Sequence, residues 1–117
     1  MSDTCLFCRI AANEIPATVV HETGTTLAFR DIGPKAPVHV LVITKEHHAN
    51  VGELVAASPA LAADLLAAAG AVARAEGLTG QGYRVIFNTG PYAGQEVEHV
   101  HAHVVGGAPL GPMLSAS

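Results

Sequence analysis

The chain has little positive charge, almost no cysteine and no long apolar run. Six Lys and Arg stand against ten Asp and Glu, a formal net charge of −4 over 117 residues. That balance argues against a nucleic-acid polymer or an anionic membrane surface as the main partner, though a nucleotide needs only a local site. No apolar stretch approaches the roughly 18 residues needed to span a bilayer. The richest, Leu54 to Ala75, is broken by Ser58, Pro59, Asp64 and Arg74. The first residues, Met1 to Thr4, lack a basic-then-apolar leader, so the expected compartment is the cytoplasm. The only two cysteines, Cys5 and Cys8, form one Cys-x-x-Cys. In a cytosolic chain that pair reads as half a metal site or a redox pair before it reads as a structural disulfide.

Histidine, by contrast, is concentrated. His99, His101 and His103 alternate with Val100, Ala102 and Val104, then run into Gly106-Gly107. A β-strand puts alternate side chains on one face, about 6.6–7 Å apart. Three imidazoles on one face suit a phosphate or a metal, because imidazole can act as nucleophile, ligand or proton carrier near neutral pH. The bland alternative is a solvated strand that happens to be His-rich.

Length and composition predict one domain over 1–117 with a core that needs no staples. Residues 5–12 read as a short helix ended before Ile15-Pro16, since the residue before proline disfavours helix. Thr18–His21 and Thr25–Arg30 read as a hairpin around Glu22-Thr23-Gly24. Val38–Thr44 is β-branched and apolar, the pattern of a buried central strand. Glu53–Ala57 reads as a short helical piece. Ser58-Pro59 then caps a long helix, with Leu61, Leu65, Leu66, Ala69, Val72 and Ala73 on its buried face and Gly77 as the stop. Tyr83–Phe87 and the histidine segment supply the last strands. The expected class is α+β, five strands on an antiparallel sheet with one long and one short helix.

The segment Glu98-His99-Val100-His101-Ala102-His103-Val104-Val105-Gly106-Gly107 resembles the defining motif of the histidine triad superfamily. Cys5-Leu6-Phe7-Cys8-Arg9-Ile10, Glu14-Ile15-Pro16, Phe29-Arg30-Asp31-Ile32, Pro37 to Ile43, Asn88-Thr89-Gly90 and Gly94-Gln95-Glu96-Val97 match its other landmarks. The tail Pro109 to Leu114 resembles the bacterial Hint branch. The resemblance implies a homodimer with sheets joined edge to edge, and hydrolysis of purine nucleoside 5′-phosphoramidates without a catalytic cofactor.

Residue by residue, it implies the following chemistry. His101 is the nucleophile, forming a nucleotidyl-imidazole that water then hydrolyses. The other nitrogen of its ring is held by a backbone carbonyl of the triad. His103 donates to phosphate oxygens, helped by Asn88 and the backbone of Gly94, Gln95, Glu96 and Val97. Asp31 accepts the ribose hydroxyls, against the simpler reading of a turn residue. Leu6, Phe7, Ile10, Ile15 and Ile32 line the base pocket. His39 relays to His99, against the alternative of an ordinary core histidine. Cys5, Cys8, His47 and His99 match the closed zinc site of some members, and zinc on His99 would compete with that relay. His21 and His48 read as solvated surface residues. Glu98 stands where Tyr or Phe is common, and Ala108 where Arg is common, so the preferred substrate is left open. Three alternatives stand beside this reading. One is a dinucleoside polyphosphate hydrolase or nucleotidyl transferase. Another is a nucleotide-binding module with little turnover. The last is a metalloenzyme that uses the histidine strand directly.

Overall fold

A computed structural model describes residues 4–114. Five strands form one antiparallel sheet in the order β1-β2-β3-β5-β4. They are β1 (Val19–Glu22), β2 (Thr26–Arg30), β3 (Val38–Thr44), β4 (Tyr83–Ile86) and β5 (His101–Gly106). Three helices accompany them: α1 (Leu6–Ala11), α2 (Val51–Ala57) and α3 (Pro59–Ala75). The sheet is as the sequence suggests. The helix count is one higher, because the piece expected from Glu53 is a full helix with its own cap. The Asn50 side chain accepts the Glu53 N–H at 2.9 Å. Ser58 then ends α2 and caps α3, its hydroxyl accepting the Leu61 N–H at 3.1 Å. No helix among the described residues is long and apolar enough to cross a membrane.

The pleat of β3 and β5 sorts their residues between two cores. Val40, Val42, Ala102 and Val104 face α3, where Leu65, Ala68, Ala69, Val72 and Ala73 are buried. The small alanine side chains let helix and sheet approach closely. Leu66 was expected on this buried face but is 55 % exposed, because the helix turns it away from the sheet. Leu41 and Ile43 point to the other face, where Phe7 of α1, Leu27 and Phe29 join them. The histidine face is therefore a covered one. His39, His99 and His101 are all buried.

The register of β3 against β5 sets the rest. Ile43 lies opposite His101, Leu41 opposite His103 and His39 opposite Val105. His39 is thus one diagonal step from His103. His99 precedes β5 in a bend and meets the far end of β3 at Thr44. Five residues of strand, roughly 16 Å, separate that point from His39.

Candidate active site

The site is built around His101. Its Nδ1–H donates to the His99 carbonyl at 2.7 Å, so the lone pair resides on Nε2. Phe7 meets the ring edge-to-face, centroids 5.0 Å apart, and also packs on Phe29 at 5.5 Å. This helix-borne phenyl fixes the imidazole plane from above while the carbonyl fixes its rotation.

A chain of hydrogen bonds then assigns His103. The Lys35 backbone N–H donates to His39 Nδ1 at 3.0 Å, which leaves the His39 proton on Nε2. That Nε2–H reaches His103 Nδ1 at 2.9 Å. His103 Nδ1 is therefore an acceptor, and its own proton sits on Nε2. Burial, then the neighbouring His101 and His39, pull the His103 pKa down to about 4. His39 is lowered too, by burial against the opposing charge of Asp31. Both rings are neutral at physiological pH, and His103 still offers an N–H. The expected relay from His39 to His99 is not formed. His39 serves His103, since register places His99 at the far end of β3.

Two cavities meet at Asp31 and Ile32. One, of about 580 Å³, is lined by Asp31, Ile32, Lys35, His39, Arg84, Asn88, Gly94, Glu96 and His103. The other is a mostly apolar slot of about 410 Å³, lined by Leu6, Phe7, Ile10, Ile15, Ile32, Phe29 and Leu41. Asp31 sits both in the turn and at the cavity junction. Its Oδ1 accepts the Gly33 N–H at 2.8 Å as in a turn, and its Oδ2 lies 3.4 Å from His39 Nε2 at the cavity junction. Ile32, fully exposed, projects between the two cavities.

Gln95 and Val97, expected in the phosphate cradle, line neither cavity. Gln95 instead braces the loop. Its Oε1 accepts the Gly90 N–H at 3.0 Å, and its Nε2 donates to the Ala49 carbonyl at 2.7 Å and the Val97 carbonyl at 3.0 Å. Gly90 and Gly94 flank the turn at φ of +82° and +78°, values that favour glycine. Val97 packs against the Phe7 cluster. Sequence reasoning missed Arg84 and Lys35. Arg84 reaches the cavity only because β4 pairs with β5, and its guanidinium also donates to the tail carbonyls of Gly111 and Pro112. His48, read as solvated, is half-buried, with its ring against Glu46 at 2.6 Å and its carbonyl accepting from Val100 N–H. His21 is half-buried as well.

Two groups of side chains could hold a metal, and their tautomers separate them. Cys5, Cys8, His47 and His99 present ligand atoms within 4.8 Å of one another. His99 Nε2–H donates to the Thr44 carbonyl at 2.7 Å, which leaves Nδ1 with its lone pair toward the cluster. The spacings are 3.2 Å for His47 Nδ1 to His99 Nδ1, and 3.3 to 3.5 Å for the sulfur–nitrogen pairs. Zinc bonds of about 2.3 Å to sulfur and about 2.0–2.1 Å to nitrogen give tetrahedral edges of about 3.3 Å (N–N) and about 3.6 Å (S–N). The set fits. Asp31, His39 and His103 also cluster within 4.8 Å. There the fit fails: a metal would need the His39 Nε2 lone pair, while the Lys35 N–H holds the proton on that nitrogen.

The HIT domain family matches residues 12–110. This chain belongs to the HIT domain family. It is 39 % identical over 115 residues to the purine nucleoside phosphoramidase of Escherichia coli K12, covering 98 % of this chain and 97 % of that one. It is 42 % identical over 104 residues to the 14 kDa zinc-binding protein of Brassica juncea, covering 87 % and 91 %. Among solved structures, the HIT family hydrolase from Clostridium thermocellum superposes with a TM-score of 0.92 at 43 % identity, covering 98 % and 100 %. The family match spans the three histidines of the triad, His39 and Asp31, and stops short of Cys5, Cys8 and α1.

Proposed function

We propose that this HIT domain hydrolyses purine nucleoside 5′-phosphoramidates, with His101 as nucleophile. The observation that carries this reading is the His101 Nδ1–H bond to the His99 carbonyl, which places the Nε2 lone pair on the opposite side of the ring. The base occupies the slot under Phe7, Asp31 takes the ribose hydroxyls, and the phosphoryl group lies by His103, Asn88 and Gly94. The His101 Nε2–P bond forms as the P–N bond breaks, and the departing nitrogen gains a proton to leave as the amine. The adduct is an N-phosphorylated imidazolium, a good leaving group. Water then attacks phosphorus and loses a proton, and neutral His101 and the nucleoside monophosphate separate. His103 Nε2–H stabilises the charge that grows on the phosphoryl oxygens, where the protein has most to contribute in phosphoryl transfer. The Escherichia coli relative's name supports the P–N substrate and the purine preference.

Cys5, Cys8, His47 and His99 would hold a zinc ion that ties the N-terminal segment to the triad. With four protein ligands the ion would have no open coordination position for substrate. The Brassica juncea relative supports this assignment. We assign the homodimer to the free edge of β4, a strand paired only with β5, where Tyr83, Val85 and Ile86 are 36–38 % exposed. Sedimentation of wild type against Val85→Lys tests it. A dimer in both, or a monomer in both, rejects that edge.

The activity test is hydrolysis of adenosine 5′-phosphoramidate by wild type and His101→Ala, each with and without chelator. The expected result is turnover in wild type and none in His101→Ala. Comparable turnover in the two proteins would reject the nucleophile, and AMP binding without turnover in wild type would favour a binding module.

A further inference from the structure

The ligand cluster of Cys5, Cys8, His47 and His99 shares α1 and the His99 segment with the two cavities. We infer that this cluster is an exchangeable effector site, whose occupancy positions His101 and the base slot so that metal and nucleotide bind cooperatively. The inference rests on the reading of the two cavities as a nucleotide site.

Two physical links join the sites. The first is His99. Its ring nitrogen Nδ1 faces Cys5, Cys8 and His47, while its carbonyl accepts the His101 Nδ1–H at 2.7 Å. A ligand that fixes the His99 ring also fixes the carbonyl that orients the nucleophile. His99 is in this sense a positioning residue. The second link is α1. Cys5 and Cys8 sit a turn apart and face the cluster, and Leu6, Phe7 and Ile10 of the same helix line the base slot. A helix of six residues has too few internal hydrogen bonds to hold itself. Its position depends on what grips it, namely the Phe7 cluster and the thiols.

The site is also open. His47 is exposed, and Cys5 and Cys8 are only half-buried. A cleft of about 400 Å³ reaches the ligands between Thr4, Leu6, Val97 and the carboxylates of Glu96 and Glu98. Glu96 lines the phosphate-side cavity as well. An ion can therefore come and go from the folded protein along an acidic route. Linkage then requires that metal raise nucleotide affinity by the same factor as nucleotide raises metal affinity.

The test measures AMP affinity by calorimetry for zinc-loaded and chelated protein, and zinc affinity with and without AMP by competition with a chromophoric chelator. Amide hydrogen exchange is followed in both metal states. We expect AMP to bind about tenfold tighter to the zinc form and zinc about tenfold tighter in the presence of AMP. Chelation should release the α1 amides while β3, β5 and α3 stay protected. In His47→Ala the rise in AMP affinity should move to higher zinc concentration, by the factor that zinc affinity falls. Stoichiometric zinc with equal AMP affinity in both states would overturn the coupling and leave the proposed reaction standing. Failure of both states to bind AMP would overturn the proposed reaction and the coupling with it. Failure to bind zinc, or loss of protection across the whole sheet on chelation, would overturn the effector site alone.

Discussion

Replacing His39 should impair a group that His39 itself only positions. The Lys35 N–H holds the His39 proton on Nε2, and that proton is donated to His103 Nδ1 at 2.9 Å. In His39→Leu the His103 Nδ1 loses its donor, and its proton can settle on either nitrogen. An unpaired buried acceptor costs about 1–3 kcal/mol, so the ring is driven toward the tautomer or rotamer that finds a new partner. In the wrong tautomer a lone pair, not an N–H, faces the phosphoryl oxygens. Loss of one transition-state donor costs about 10²–10³ in kcat. Partial population of the right tautomer softens this, so we expect kcat to fall about 30- to 100-fold, with KM changed far less. His39→Gln, which can still present an N–H toward His103, should recover most of that loss. The assay is AMP release from adenosine 5′-phosphoramidate, with thermal unfolding to show that each variant folds. A folded His39→Leu enzyme with wild-type kcat would refute the tautomer argument, as would His39→Gln being no better than His39→Leu.

Phe7→Ala should cost about 3–5 kcal/mol in chemical denaturation, since a buried phenyl that packs on both Phe29 and His101 leaves a cavity. A loss under 1 kcal/mol would mean that α1 contributes little to the second core. Ser58→Ala should cost about 1 kcal/mol by removing the cap of α3, and Ser58→Asp should not. The pH dependence has a defined sign. The folded pKa of His103 is pushed down to about 4 from an ordinary value of 6.5. Between those values the unfolded chain takes up a proton that the folded one refuses, so stability is lost as pH falls from 6.5 toward 4. Denaturation midpoints should drop over that window, and His103→Gln should remove only part of the drop, because burial also pushes His99 down to about 4. An unchanged slope in the variant would show that His103 is not among the groups responsible.

Much of this was readable from the residues because the strong signals are local. Alternation across His99 to Val105 separates the imidazole face from the α3 face, and Ser58-Pro59 and Gly77 mark α3. The five-stranded sheet follows from short β-branched runs between turn residues. What could not be read depends on register. Nothing in the sequence says that His39 stands opposite Val105, and without that fact a relay to His99 is as reasonable as one to His103. Arg84 enters the cavity through β4–β5 pairing, which no local pattern encodes. Gln95 looks like a ligand-binding residue in a glycine-rich loop, yet its amide is consumed by three backbone partners. The burial of the histidine face likewise came from α1, a short helix whose docking surface is spread over three strands. Leu66 shows the limit of periodicity: helical spacing allows it on the buried face, but α3 turns it away from the sheet.

The most direct test of the central claim is to quench wild-type enzyme during turnover of a nucleoside 5′-phosphoramidate and map the modified peptide by mass spectrometry. The proposed reaction predicts a nucleotidyl adduct on His101, whose Nδ1–H on the His99 carbonyl leaves the Nε2 lone pair directed away from that anchor, whereas the free nitrogen of His99 faces the thiols. An adduct mapped to His103, His99 or any other residue would contradict it.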